Sequence, residues 1–213
     1  MSATHQTAEE PKGPTLIVIE GTEATGTTTH AHGLATALSI RGYRARSWGH
    51  ERPTTRDPWV RALDYAQQRA QLLEQHAGES DLVIVVDRWW HTSHVEALCE
   101  PEGYDRSRFA SLARAEALHS ISPALLVVLD ASGDVLDARM LARQPPEVPD
   151  ARDRERRKLY REAIEHRGTW WLPSTYQSVE PPAFLALDTG ALTISETRAR
   201  IVEAALRVLG GGR

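Results

Sequence analysis

Residues 15–29 read Thr15-Leu16-Ile17-Val18-Ile19-Glu20-Gly21-Thr22-Glu23-Ala24-Thr25-Gly26-Thr27-Thr28-Thr29. Leu16 to Ile19 is a short, continuous apolar run, the pattern of a strand buried on both faces. A glycine and threonine turn follows. From Thr27 the apolar positions Ala31, Leu34, Ala35 and Leu38 keep helical spacing as far as Ile40, and Arg41-Gly42 closes the helix. Strand, glycine turn and helix are the setting of the phosphate-binding loop G-x-x-x-x-G-K-[ST]. Its glycines let backbone N–H groups curl around phosphate oxygens at a helix N-terminus. Gly21, Gly26 and Thr28 match that spacing, but Thr27 stands where the lysine belongs. Two readings of the loop stay open: a phosphate cradle formed by residues 21–29, or a plain turn whose threonines cap the helix.

Outward from this stretch, strand and helix patterns alternate. Residues 44–48, 82–86, 125–129 and 184–187 read as strands, and residues 59–76, 92–99, 105–119, 134–143, 152–166 and 195–209 as helices. Two prolines make residues 50–58 a loop, and Pro145, Pro146 and Pro149 break the helical pattern after Arg143. Such alternation predicts a parallel sheet with helices on both faces, which binds ligands at the carboxyl ends of its strands. Glu20, Asp87, Asp130 and Asp188 each follow a strand directly. Residues 1–14 read as a flexible tail and 15–213 as one domain, with a lid at about 140–155.

Composition narrows the function. The 213 residues carry a net charge of -4, against the basic balance of a general nucleic-acid binder. Cys99 is the sole cysteine, so the chain has no internal disulfide framework and no Cys-rich zinc site. No run approaches the length of a membrane span, and residues 1–14 lack a basic then apolar leader pattern; a cytoplasmic setting is expected. Lys12 and Lys158 are the only lysines, and arginine supplies the other basic side chains.

Several collinear segments carry a resemblance. Residues 16–29 match, except at Thr27, an apolar strand followed by E-G-x-[DE]-x-x-G-K-[ST]-[ST]. Asp87-Arg88-Trp89-Trp90-His91-Thr92-Ser93 is similar to D-R-[YFH]-x-x-S-[ST]. Pro123-Ala124-Leu125 through Asp130 is similar to P-D-L-x-x-x-L-D, and Asp153-Arg154-Glu155 to the end of an arginine-rich lid. Together, over residues 15–209, these segments resemble the thymidylate kinases.

The resemblance implies a P-loop NTPase three-layer α/β sandwich: a five-stranded parallel sheet, helices on both faces and a short lid. It implies transfer of the γ-phosphoryl of ATP to a nucleoside monophosphate with Mg2+, in a homodimer that binds nucleotides rather than a nucleic-acid polymer or a membrane. The donor phosphates fall to Gly21, Thr22, Glu23, Ala24, Thr25, Gly26, Thr27, Thr28 and Thr29, with Thr28 and Asp87 near the metal. Glu23 and Arg88 belong to the acceptor side, Arg88 on the acceptor phosphate. A further acceptor arginine is Arg52 by spacing or Arg56 by local pattern, with Arg52 preferred, and Arg69 lies on the helix that approaches the base. Trp89 is a candidate for stacking on that base. Arg139 and Arg143 are expected to replace the charge missing at Thr27. Glu96 and Ala97 stand where the family has a tyrosine and a glutamine near the base, so the acceptor is not bound to be thymidylate. Two other functions remain open: a catalytically silent nucleotide-binding protein, and a kinase-fold enzyme with a non-nucleotide acceptor.

Overall fold

Each apolar run becomes a strand because a parallel sheet covered on both sides leaves neither face of its central strands in water. The computed structural model describes residues 13–55, 57–99, 106–119, 121–165 and 182–210. Among these, β1 (Thr15–Gly21), β2 (Arg44–Gly49), β3 (Leu82–Asp87), β4 (Leu125–Asp130) and β5 (Ala183–Asp188) form one parallel sheet in the order β2-β3-β1-β4-β5. The helices are α1 (Thr27–Ile40), α2 (Pro58–Gln75), α3 (Trp90–Leu98), α4 (Arg106–His119), α5 (Gly133–Leu141), α6 (Ala151–Glu165) and α7 (Ile194–Gly210).

Strand alternation sorts the core into two layers. Leu16 and Val18 of β1, Leu82, Ile84 and Val86 of β3, and Leu126 and Val128 of β4 pack toward α2, α3 and α6, where they meet Leu72, Val95, Leu159 and Tyr160. Ile17, Ile19, Val83, Val85, Val127 and Leu129 point the other way, onto Leu34 and Leu38 of α1 and Ile201 and Ala205 of α7. The helices start where local chemistry tells them to. Asp57 caps α2 by accepting from the N–H groups of Trp59 at 2.8 Å and Val60 at 3.1 Å, with Pro58 in the first turn. Thr193 and Glu196 form a reciprocal capping box at the start of α7.

Register brings the strand ends to one edge. Ile19 pairs with Asp87, Gly21 with Leu129 and Asp130 with Asp188. β1 lies at the centre, so the turn after it opens beside the point where successive strands depart to opposite sides. The expected elements are all present. The differences lie at their ends: α3 begins at Trp90, directly after the Arg88-Trp89 turn, and α5 stops at Leu141, short of Arg143. The irregular stretch of the expected lid is 142–150; the rest of it belongs to α5 and α6. The expected tail through residue 12 and Arg56 lie outside the described residues.

Ile84, fully buried on β3 between β1 and β2, probes this packing. Ile84→Ala is expected to destabilise the chain by about 2–5 kcal/mol, read as a lower urea midpoint with an unchanged slope.

Candidate functional site

The loop after β1 takes its shape from its glycines and threonines. A Cβ on Gly21 would fall 2.5 Å from Thr25 Oγ1 and 2.7 Å from the Leu129 carbonyl oxygen, so only glycine fits against β4 there. Gly26, at φ 93, is the N-cap of α1 and leaves the helix without a side-chain cap. Thr25 Oγ1 donates at 2.8 Å to the Thr22 carbonyl, inside the loop. Thr22, Thr25 and Thr27 are buried, whereas Thr28 and Thr29 are exposed. No threonine side chain caps the helix, and Thr25 braces the loop from within. The first N–H groups of α1 keep the open, positive end that attracts an anion. For His30, buried one turn into α1 beside Gly26, burial and then the charges of Arg198 and Arg139 lower the pKa.

Glu20 anchors the other side of the loop. It has no exposed surface. Its Oε1 accepts the Trp89 N–H at 2.7 Å, and its Oε2 accepts the Thr92 hydroxyl at 2.6 Å and the Tyr160 hydroxyl at 3.0 Å. His91 Nδ1 stands 3.4 Å from Oε1. Burial alone would raise the Glu20 pKa; His91, Thr92 and the Trp89 N–H outweigh it and hold the carboxyl below its ordinary 4.5. One carboxylate thus joins β1 to α3 and α6 and fixes the turn at Arg88, whose φ is 66.

Charged groups converge at the mouth of the loop. Thr28 Oγ1 donates to Asp87 Oδ2 at 2.5 Å, while Asp87 Oδ1 is buried with no partner among the described residues. Arg88 Nη1 donates to Glu23 Oε1 at 2.8 Å, and Arg143 Nη1 reaches Glu23 Oε2 at 3.3 Å and also pairs with Glu147. Burial opposes ionisation of Glu23, but Arg88 and Arg143 hold its carboxyl below the usual range. Arg139 donates to the carbonyls of Ala24 at 3.2 Å and Thr189 at 2.7 Å, and to Thr189 Oγ1 at 2.9 Å. It ties the loop to the turn after β5. Three arginines therefore surround a loop that has no lysine.

A cleft of about 240 Å³ opens from the loop toward α2 and α3. Glu23, Thr28, Asp87 and Arg88 line the loop end, and His50, Tyr65, Arg69, Ser93 and Glu96 the far end. Arg69 is buried and bound at both Glu116 oxygens, at 2.6 and 2.8 Å. His50 packs edge-on between Trp48 and Tyr65. Burial, then the charges of Arg69 and Arg88, push its pKa down to about 3, so it is neutral.

No protein-family model matches the sequence, and no curated protein does. The architecture does match a solved structure. Thymidylate kinase from Candida albicans superposes with a TM-score of 0.60 at 15% identity, over 94% of this chain and 94% of that one. The fold is that of thymidylate kinase.

On this thymidylate kinase fold, the structure gathers Gly21 to Thr29, Asp87, Arg88, Arg139 and Arg143 at one strand edge. Arg52 is not among them. It is exposed and lines a neighbouring cleft with Glu51 and Gln68, whose amide pins the Glu51 backbone. Trp89 is corrected: its side chain has no exposed surface and packs edge-on against Trp48, so it backs the cleft and offers no face for stacking. Trp90 is also core, stacked on His91. Arg69 reaches the cleft wall with its charge already cancelled by Glu116. Sequence patterns did not single out His50, Tyr65, Glu116, Tyr160 or Thr189, because their roles arise from contacts between distant elements. Glu20 did carry a signal, an acid closing a wholly apolar run. Among the described residues no helix is long and apolar enough to cross a membrane.

Replacing Glu20 by Gln tests the anchor. A carboxyl whose pKa is depressed on folding contributes stability above its unfolded value near 4.5, and loses it as pH falls through the lower folded value. The native chain is expected to exceed Glu20→Gln by about 1–3 kcal/mol at pH 7, a gap that narrows below pH ~4.5 in urea titrations.

Proposed function

We propose that this chain transfers the γ-phosphoryl group of ATP to a nucleoside monophosphate, through a loop that lacks the usual lysine. The observation that carries the reading is the convergence of Arg88, Arg139 and Arg143 on the loop, beside the Thr28–Asp87 pair and the cleft. Phosphoryl transfer asks a protein for position and for charge around the moving group more than for covalent chemistry. The uncapped start of α1 and the loop N–H groups suit the donor phosphates. Arg88, at the boundary of loop and cleft, suits the acceptor phosphate.

The residues present fit Mg2+. A magnesium ion keeps several waters and takes only one or two protein oxygens besides phosphates. The Thr28 hydroxyl and Asp87, with its orphaned Oδ1, provide that set. Bound there, the ion would neutralise charge on the donor phosphates.

Compensation for Thr27 divides between two arginines. Arg139 is held by hydrogen bonds to the loop and to Thr189, so its charge is fixed beside the loop. Among the described residues Arg143 is held by Glu23 and Glu147 alone, both partly exposed, and it follows α5 on the irregular stretch 142–150. It is the arginine free to change partners when phosphates arrive and the stretch closes. The likeness to thymidylate kinases extends the proposal to a homodimer in the cytoplasm. A non-catalytic nucleotide binder is the second reading, favoured by the uncharged Thr27 itself.

A Mg2+-dependent transfer assay with ATP and a panel of nucleoside monophosphates tests the proposal. Turnover by the native chain is expected. Arg143→Ala should lower it by about ten- to a thousandfold, the effect of a lost charged contact of about 2–5 kcal/mol, with the melting temperature unchanged. Arg139→Ala should lower turnover and melting temperature together. A silent native chain that binds ATP, and gains turnover on Thr27→Lys, would establish the non-catalytic reading instead.

A further inference from the structure

The far end of the cleft is built by two helices one turn at a time. Tyr65 and Arg69 lie four residues apart on α2, and Ser93 and Glu96 three apart on α3, so each pair shares a helix face. A second hollow, lined by Arg61, Ala62, Tyr65, Ser93, Glu96 and Phe109, continues from this end. Glu96 therefore stands where one space opens into the other.

Most hydrogen-bonding capacity here is already used. Arg69 gives Nε and Nη2 to the two oxygens of Glu116, Nη2 also to Ser93 at 3.1 Å, and Nη1 to His50 Nε2 at 2.8 Å. The neutral His50 accepts at Nε2, which places its proton on Nδ1. Glu116 balances Arg69, so neither adds net charge. The Glu96 carboxylate differs. It has no hydrogen-bond or ion-pair partner among the described residues, and it acts on the Tyr65 phenol only through its field. The far end of the cleft thus presents two carboxylate oxygens side by side, both waiting for donors.

We infer that Glu96 selects a guanine nucleotide as the acceptor, by accepting two adjacent N–H groups of the base. The inference rests on the reading of this cleft as a nucleoside monophosphate site. Among the common bases only guanine carries two neighbouring donors, a ring N–H beside an amino group. Thymine and uracil place their single N–H between two carbonyl oxygens. Cytosine and adenine place the amino group beside a ring-nitrogen lone pair. Each of these sets a lone pair against the half-buried carboxylate, and a charge facing a lone pair is penalised. Among the donors at this end, His50 Nδ1–H and the Tyr65 hydroxyl suit the guanine carbonyl, while Arg61 in the adjoining hollow has a partner of its own. Arg69 lines the same end, but its neutralisation by Glu116 removes it as the reader of a pyrimidine carbonyl.

Binding of guanosine, thymidine, cytidine and adenosine 5′-monophosphates to the native chain, followed by calorimetry, tests this apart from turnover. Guanosine monophosphate is expected to bind about ten- to a hundredfold tighter than the others. Glu96→Gln, which replaces one acceptor oxygen by a donor, should erase that preference and improve thymidine monophosphate. Glu96→Ala should erase it without that gain. Thymidine monophosphate binding the native chain as tightly as the guanine nucleotide, or a ranking unchanged in Glu96→Gln, would overturn the inference. Selective guanine binding without phosphoryl transfer would uphold it and sink the kinase reading. Failure of every monophosphate to bind would overturn both.

Discussion

Glu20 is a carboxylate without access to water at the end of the central strand, and the rest of the site is hung from it. An ionised group in such a place costs several kcal/mol unless nearly all its lone pairs are met. They are met by a backbone N–H from the turn after β3, a hydroxyl of α3 and a phenol of α6. Those partners come from segments 69 to 140 residues away in the chain. Satisfying the charge therefore forces the turn after β3, α3 and α6 to meet the start of the loop in one arrangement. That arrangement sets Arg88 against Glu23 and Asp87 against Thr28.

The electrostatics of the loop follow from this placement. The loop after β1 has no lysine of its own. Here the charge is borrowed, from the ends of β3 and α5. Borrowed charge has two forms. Arg139 is fixed by carbonyl partners and acts as part of the loop's frame. Arg88 and Arg143 instead share Glu23, a carboxylate within the loop itself. That carboxylate keeps two guanidiniums ordered where an unpaired pair would repel, and an anion with stronger acceptor geometry competes for the same forks.

The far end of the cleft obeys the opposite logic. Its one buried cation is quenched by Glu116, and its histidine stays neutral because burial and neighbouring arginines disfavour a second charge. What remains at that end is the carboxylate of Glu96, with Arg61 in the adjoining hollow, while at the loop end Arg88 stands with Glu23 and Asp87.

The sequence by itself determined the elements and their layering. Continuous apolar runs have no alternative to a covered parallel sheet, and the glycines at 21 and 26 each meet a local demand, close approach at one and a left-handed φ at the other. It also placed Asp87 and Arg88 near the loop, because residues that directly follow parallel strands share one edge by topology; Arg139 and Arg143 were expected there only from the family resemblance. Tertiary structure alone decided which side chains remain available. Trp89 looked like a stacking platform until its burial was seen. Arg52 pointed to the acceptor by spacing yet lines the next cleft, and Arg69 proved to be neutralised by an acid 47 residues away. The physical reason is that availability is a difference between partners. A local pattern specifies where a charge sits along the chain, but whether another group has already cancelled or buried it depends on contacts made only when distant segments pack.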